Sequence, residues 1–344
     1  MIILIVIVGL SLLILGHEAG HFFVAKLFKL RVDEFGFGFP PRMFAKKKGE
    51  TEYSFNWLPF GGFVRIAGED GEFGLKNGDG STDKNRLFFA QPAWKKGLII
   101  LAGVATNFVL GWFLISAILM VGIPKAVIIS SVQPDSPAAR IGLQPADIVS
   151  NFSTAKDFTR FVKEHAGQTV DLEIKRGDRH LTLSVVPRKE TKPGEGAVGV
   201  VLVDAGEDRQ GILTAAWDGL RRALMISGLT FQSLYELVKT LFFDGSLLPG
   251  VVGPVGIFSV AAETGKIGLI YLVQLISIIS LNLAVINLVP FPALDGGRFL
   301  MILIEKMKGS PISRKTEAIV NATGFLFLIA LMIALTARDV GKLF

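Results

Sequence analysis

Cysteine is absent from all 344 residues. That excludes a disulfide framework, thiolate metal sites, iron–sulfur clusters and thiol nucleophiles. Charge is scarce too, at 19% of residues, against about 25% in ordinary soluble domains. Histidine occurs at only four positions, His17, His21, His165 and His180, so imidazole chemistry has few places to be. Apolar residues make up half of the chain, and the mean hydropathy is +0.51. Such a composition points to a membrane protein. The net charge of +6 fits basic loops beside anionic lipid. No nucleic-acid-binding motif accompanies it, so no nucleic-acid partner is expected.

Four stretches can cross a hydrocarbon core of about 30 Å, which takes about 20 helical residues. The first runs from Ile2 through His17, Glu18 and His21 to Lys26. The second runs from Gly97 to Ile123, the third from Ile267 to Leu294 just before Asp295, and the fourth from Ala318 to Ala337. The first has no basic leader and no small-residue cleavage site, so it is expected to be retained. Lysine and arginine set the orientation. Lys26, Lys29, Arg31, Arg42 and Lys46 to Lys48 follow span one, and Lys95 and Lys96 precede span two. Arg298, Lys306, Lys308, Arg314 and Lys315 lie between spans three and four. These loops are expected in the cytoplasm, with the N-terminus, residues 124–266 and the C-terminus outside.

The outside segment holds a soluble domain. Val127–Val132, Val170–Lys175 and His180–Val186 have the alternation or β-branched content of strands. Asp157–His165 reads as a short helix and Thr191–Gly196 as a turn-rich exit. Segment 212–243 reads as an amphipathic helix, with Trp217, Leu220, Leu224, Phe231, Leu234 and Leu241 on apolar faces. It either lies on the membrane surface or packs on the soluble domain. Residues 32–75 are dense in aromatics and glycine, and Thr51–Ile66 reads as a hairpin turning at Pro59-Phe60-Gly61-Gly62. Such a segment beside a spanning helix can re-enter the bilayer against protein.

His17-Glu18-Ala19-Gly20-His21 is an H-E-x-x-H pattern. On a helix its histidines share one face, about 6 Å apart along the axis, which lets both bind one Zn²⁺. Glu18 sits about 100° round from His17, where it can act as general base on a water. Three ionisable residues within five positions of a spanning helix are costly without a metal or a water cavity. His17 lies about 24 Å along the helix from Met1, near the cytoplasmic end of the span. A hydrolytic zinc site takes three protein ligands and leaves one position open. His165 and His180 fall in the outside domain, so the better third ligand is Asp295. Spans one and three run the same way and bring their late residues to one depth. Pro290 and Pro292 break the helix there, and Gly296-Gly297 permits an unusual turn. The plainer reading of Asp295 is a helix-exit or N-cap aspartate. Asn287 could hydrogen-bond an oxyanion or the substrate backbone. Asn107 and Asn282 are further buried candidates that could equally serve interhelical hydrogen bonds.

These residues resemble the site-2 protease family of intramembrane zinc metalloproteases. Three motifs carry the resemblance: the H-E-x-x-H, the Asn287–Gly297 run similar to N-x-x-P-x-P-x-L-D-G-G, and Ser136–Val149, similar to the PDZ type of bacterial periplasmic proteases. Their order is similar to that in the bacterial regulator of sigma-E protease group. Gly103-x-x-x-Asn107 resembles a second-span motif, with Val104 where the family often has proline. Residues 126–190 fit one PDZ domain, where many relatives have two.

The resemblance implies His17, His21 and Asp295 as ligands of one Zn²⁺ per chain and Glu18 as the catalytic base. Asn287 and Asn107 would face the substrate or transition state. Ile141-Gly142-Leu143 would form a PDZ groove for a C-terminal peptide. The Phe35–Pro41 and Thr51–Ile66 segments would present the substrate as an extended strand.

The expected fold is a multi-pass α-helical membrane protein of four spans, with a membrane-associated β hairpin region and an inserted α+β PDZ-like domain. Its expected parts are the first span at 1–28, the β region at 29–96, the second span at 97–123 and the PDZ-like domain at 124–192. A linker with an amphipathic helix follows at 193–266, then the third span at 267–297, a cytoplasmic loop at 298–317 and the fourth span at 318–344. The expected activity is zinc endoproteolysis of transmembrane segments in the bacterial inner membrane. Substrates would be single-span proteins such as anti-sigma factors or signal-peptide remnants. The zinc site would lie near the cytoplasmic side and the PDZ-like domain in the periplasm or outside. The rival readings are a non-catalytic membrane-protein binding module and a metal transporter. An intact Glu18 speaks against the first, and the lack of a second site along a path speaks against the other.

Overall fold

The computed structural model describes residues 2–69, 83–177, 179–191, 195–243 and 253–341. In chain order it begins with α1 (Ile2–Leu27), β1 (Val32–Lys48), β2 (Thr51–Ile66) and α2 (Ala93–Val121). A sheet domain follows, made of β3 (Ile123–Val132), α3 (Pro137–Arg140), β4 (Ile148–Val149), α4 (Ala155–Glu164), β5 (Val170–Arg176), β6 (Arg179–Val185) and β7 (Val200–Glu207). The remaining helices are α5 (Ile212–Phe243), α6 (Pro254–Ile267), α7 (Leu269–Leu288), α8 (Asp295–Lys308) and α9 (Arg314–Gly341). Among the described residues, α1, α2, α7 and α9 are long and apolar enough to cross a membrane. None of the four contains proline, and each satisfies its backbone internally, as hydrocarbon requires.

Helix α2 is the hub of the bundle. It meets α1 in opposite chain order, Trp94 beside Phe28 and Asn107 beside His17. It meets α7 in opposite order too, with Asn107 beside Ser280 and Gly111 beside Ser277. Hence α1 and α7 run the same way. The expected third span stops early. Helix α7 ends at Leu288, residues 289–294 are non-helical, and Asp295 opens a separate helix, α8. The prolines explain the break, because neither Pro290 nor Pro292 can donate within a continuing helix. Helix α8 also occupies much of the stretch expected as a 298–317 loop. Helix α9 is largely exposed, and it touches the α7–α8 connection through Asn321 to the Ala293 amide (3.3 Å) and through Phe327 against Phe291.

The expected hairpin has a different form. Lys48 and Thr51 pair across Gly49-Glu50, and residues 42–48 run antiparallel to 51–56. Residues 32–37 lie between the two arms of β2. They pair in opposite order with 62–66 and in step with 52–55. The chain does reverse near Pro59–Gly62, but a strand of β1 separates the arms. The aromatics Phe37, Phe44 and Phe55 stack along this surface.

The sheet domain is an antiparallel five-stranded sheet ordered β6-β5-β4-β3-β7. Its core packs Val127, Ile129, Leu143, Phe158, Val162, Leu172 and Ile174 between strands and helices. The 124–192 boundary is too short. Strand β7, expected as part of a linker, pairs along β3 from Val200 to Glu207. Alternation is faint in Val-Val-Leu-Val-Asp, so the strand was not legible in isolation. Of the expected exit turn Thr191–Gly196, residues 192–194 lie outside the described residues.

Helix α5 packs mainly on the helical bundle and is also tied to the sheet domain, through Arg222 to Glu207 of β7 (2.7 Å). Trp112 Nε1 donates to Ala216 O (2.8 Å), and Thr230 donates to Asn282 Oδ1 (2.7 Å). Its inner face is built from the small residues Ala215, Gly219 and Ala223, while Trp217, Leu224 and Phe231 point outward. Large apolar side chains on the open face suit a helix bordered by lipid.

Candidate metal centre

Helix α1 carries His17 and His21 one turn apart, on the face turned to α2. Both are buried, at 8% and 9% exposure. Glu18 lies round the helix, beside the β region, with its Cγ near Gly62. Asp295 comes from the first turn of α8, so three separate elements meet at one point.

The α7–α8 connection can bring Asp295 there because Gly296 and Gly297 lack side chains. A Cβ on Gly296 would strike the Leu288 and Val289 carbonyls, and one on Gly297 would strike Phe291 O. The non-helical run therefore folds back on the start of α8. Ala293 holds a left-handed backbone at φ 74°, a strained conformation of the kind that clusters at functional sites. Gly103 does the corresponding work on α2. A Cβ there would meet His17 Cε1 at 2.7 Å and His21 Cε1 at 2.6 Å. The absence of that atom lets α2 close over both rings.

The three candidate ligand atoms converge. His17 Nε2 and Asp295 Oδ2 are 3.0 Å apart, His21 Nε2 and Asp295 Oδ2 3.5 Å, and the two Nε2 atoms 3.2 Å. A tetrahedral zinc with bonds of about 2.0–2.1 Å separates its ligands by about 3.3 Å. Asp295 Oδ2 is buried and accepts no hydrogen bond. Two imidazole nitrogens and an orphaned carboxylate oxygen at this spacing form the donor set of a zinc site, and among the described residues these are the three that could hold a metal. His21 is oriented for the task, since its Nδ1 donates to Ile99 O (2.8 Å) and leaves Nε2 free.

A cavity of roughly 80 Å³ adjoins this point. Glu18, His21 and Asp295 line it from one side, Val64 and Ile66 of β2 from another, and Glu69 and Arg298 close it with an ion pair of 2.5 Å. It holds the Glu18 carboxylate, two of the candidate ligands and a β edge in one small polar space, an arrangement that suits hydrolysis of an extended peptide.

The other candidates fall elsewhere. Asn287 is half-buried near the end of α7, and its amide makes no hydrogen bond with the described residues. Asn107 is 1% exposed and faces His17 Nδ1 at 3.3 Å, on the ring edge away from Asp295. It is therefore walled off from a substrate, contrary to the expected role. Asn282 serves an interhelical hydrogen bond. Ile141-Gly142-Leu143 closes α3, and its three amides are spent on the carbonyls of Pro137, Ala139 and Ala138. With Leu143 also in the core, the segment offers no free amide to a terminal carboxylate. His165 and His180 sit on the sheet domain.

Sequence reasoning missed the bearing of Gly103 on the rings, the Ile99 carbonyl and the Glu69–Arg298 pair. A glycine four positions before a buried asparagine, in a spanning helix, was the only signal for the first. Backbone acceptors leave no trace in sequence.

Comparison with known proteins follows the same lines. Residues 5–331 match Peptidase family M50. The chain is 30% identical to the zinc metalloprotease RasP of Oceanobacillus iheyensis, over 95% of this chain and 96% of that one. It is 29% identical to the regulator of sigma-W protease RasP of Bacillus subtilis, over 96% of each.

Proposed function

Since the chain belongs to peptidase family M50, the site-2 protease family, and is a membrane zinc metalloprotease, we propose that it cuts single-span membrane proteins within or beside their transmembrane helices, with His17, His21 and Asp295 as zinc ligands and Glu18 as the catalytic base. The observation that carries this reading is the convergence of Nε2, Nε2 and Oδ2 within 3.0–3.5 Å beside Glu18. Zinc bound by these residues supplies Lewis-acid activation of water and of the scissile carbonyl. Glu18 takes the proton from the attacking water and delivers it to the departing amide nitrogen, so the amine leaves neutral. Asn287, unpaired near the same end of α7, hydrogen-bonds the substrate backbone or the developing oxyanion. The β edge at 62–66 holds the substrate extended, because a helix hides its amides and a strand presents them.

The relative named as a regulator of sigma-W protease supports anti-sigma factors as one substrate class; signal-peptide remnants, as other single-span segments, are the second class proposed. The protein would reside in the bacterial plasma membrane, its metal centre near the cytoplasmic side and its sheet domain, read as PDZ-like, outside. That domain would screen what reaches the site, since β3 follows α2 directly and the end of β7 is tied to the helices by Gln210 N to Leu119 O and by Arg222 to Glu207. Its contact with substrate would lie away from residues 141–143.

The test compares wild type with Glu18→Gln in detergent, measuring zinc per chain and cleavage of a single-span substrate together. About one zinc in both proteins, with cutting only by wild type, is the expected result. Cutting by the Glu18→Gln protein at wild-type rate would overturn the role of Glu18. Zinc in neither would overturn the metal centre.

A further inference from the structure

A neutral imidazole carries one proton, on either nitrogen. To ligate through Nε2 it must carry that proton on Nδ1, and a buried Nδ1–H needs an acceptor. For His21 the acceptor is the Ile99 carbonyl of α2. For His17 the group facing Nδ1 is the carboxamide of Asn107, eight residues further along the same helix, at 3.3 Å. Asn107 Nδ2 is turned to the ring, and Asn107 Oδ1 is buried without a partner. In that orientation a ligating His17 would set one donor against another and leave the oxygen orphaned. The two ends of a carboxamide fill nearly the same space. A half-turn about Cβ–Cγ places Oδ1 against Nδ1–H, which gives the oxygen its donor and the ring the tautomer that ligation needs. The residue is anchored for this, since Ser280 Oγ of α7 donates to its backbone carbonyl at 2.8 Å.

We infer that Asn107 is a positioning residue whose side-chain oxygen accepts the Nδ1 proton of His17 and so directs the Nε2 lone pair of that ring at the metal. The inference rests on the metal-centre reading above. It makes α2 a bracket in which two acceptors hold two imidazoles carried one turn apart on α1.

The experiment measures zinc dissociation constants by competition with a chelator, for wild type, Asn107→Leu and Asn107→Asp. Thermal unfolding of the zinc-free proteins reports the fold. Leucine keeps the volume and removes the acceptor, whereas aspartate keeps an acceptor. Loss of an outer-shell partner of this kind weakens metal binding by about 10–100-fold. The expected result is such a loss in Asn107→Leu, with Asn107→Asp bound more tightly than the leucine variant. If Asn107→Leu does not fold without zinc, Asn107→Ser against Asn107→Ala asks the same question with smaller side chains, and the serine variant is expected to bind zinc more tightly. Zinc affinity that does not follow the presence of an acceptor overturns the role. Wild type that binds no zinc overturns the metal centre and this role with it.

Discussion

Gly103 is the residue on which the approach of α2 to the two histidines turns. Its hydrogen stands where a methyl group would overlap His17 Cε1 and His21 Cε1. Either the rings turn off the metal or the helices part. Overpacking of this kind costs about 1–3 kcal/mol, which corresponds to about 5–150-fold in an equilibrium constant. Gly103→Ala is therefore expected to weaken zinc binding by that factor and to reduce cleavage in parallel. Gly228→Ala is the control, because no atom lies within 4 Å of its added carbon. Zinc titration of both variants checks the prediction, and equal affinities would show that the bundle accommodates the methyl group. The candidate ligands were legible from sequence, since His17 and His21 stand in one H-E-x-x-H and Asp295 stands in a rare proline and glycine setting. Asn107 was legible as a buried polar residue, but not in its role. Which nitrogen of which ring it faces depends on how α1 and α2 cross, and no local pattern encodes that.

At the scale of elements, the β region is fastened to the bundle by Glu50. It lies in the tight turn between β1 and β2 and bonds Lys26 Nζ at the end of α1 (2.6 Å) and Arg86 Nη2 (2.7 Å). Burial alone would raise its carboxyl pKa, but the hydrogen bonds and charges of Lys26 and Arg86 outweigh that and hold it below the ordinary value near 4.5. A group with a lowered folded-state pKa stabilises the fold above its unfolded pKa, and that contribution is lost as pH falls through the folded one. Glu50→Gln should therefore lower the unfolding temperature at pH 7 and approach wild type as pH falls through the lowered folded-state pKa of Glu50. The effect is small, because exposed pairs contribute about 1 kcal/mol or less. Thermal unfolding of both proteins across pH 3–8 checks it, and a constant difference over that range would assign Glu50 a role independent of charge. The spans, α4, α5 and most of the sheet were legible because hydropathy and alternation are properties of single segments. Strand β7 and the β1 strand between the two arms of β2 were not. Their place depends on partners more than 25 residues away in sequence for β7, and on a fold-back that composition does not announce. Helix α8 was hidden for another reason: two prolines marked the end of a helix, and Asp295, which opens the next one, reads first as a metal ligand and only second as a helix cap.

At the scale of the whole molecule, charge asymmetry predicts orientation, and the missing cysteines make the prediction easy to check. The basic run Lys46 to Lys48 in β1 and the pair Lys95 and Lys96 at the start of α2 belong to one side of the membrane by the positive-inside rule. With α2 crossing the bilayer, β3, which begins two residues after it ends, is expected to place the sheet domain on the opposite side. Because the native chain has no thiol, any introduced cysteine is the only one to react. Lys47→Cys and Lys156→Cys place single thiols in exposed positions of the β region and of α4. In intact cells with a permeable outer boundary, a membrane-impermeant maleimide should label Lys156→Cys and spare Lys47→Cys until the membrane is lysed. The reverse pattern would invert the orientation and place the mouth closed by Glu69 and Arg298 outside. Labelling of both in intact cells would remove α2 from the set of spanning helices. The outcome bears on chemistry as well as geometry. The side facing Lys47 is the one from which α8 delivers Asp295, so it decides into which compartment the cavity beside Glu18 opens and where a cut substrate is released.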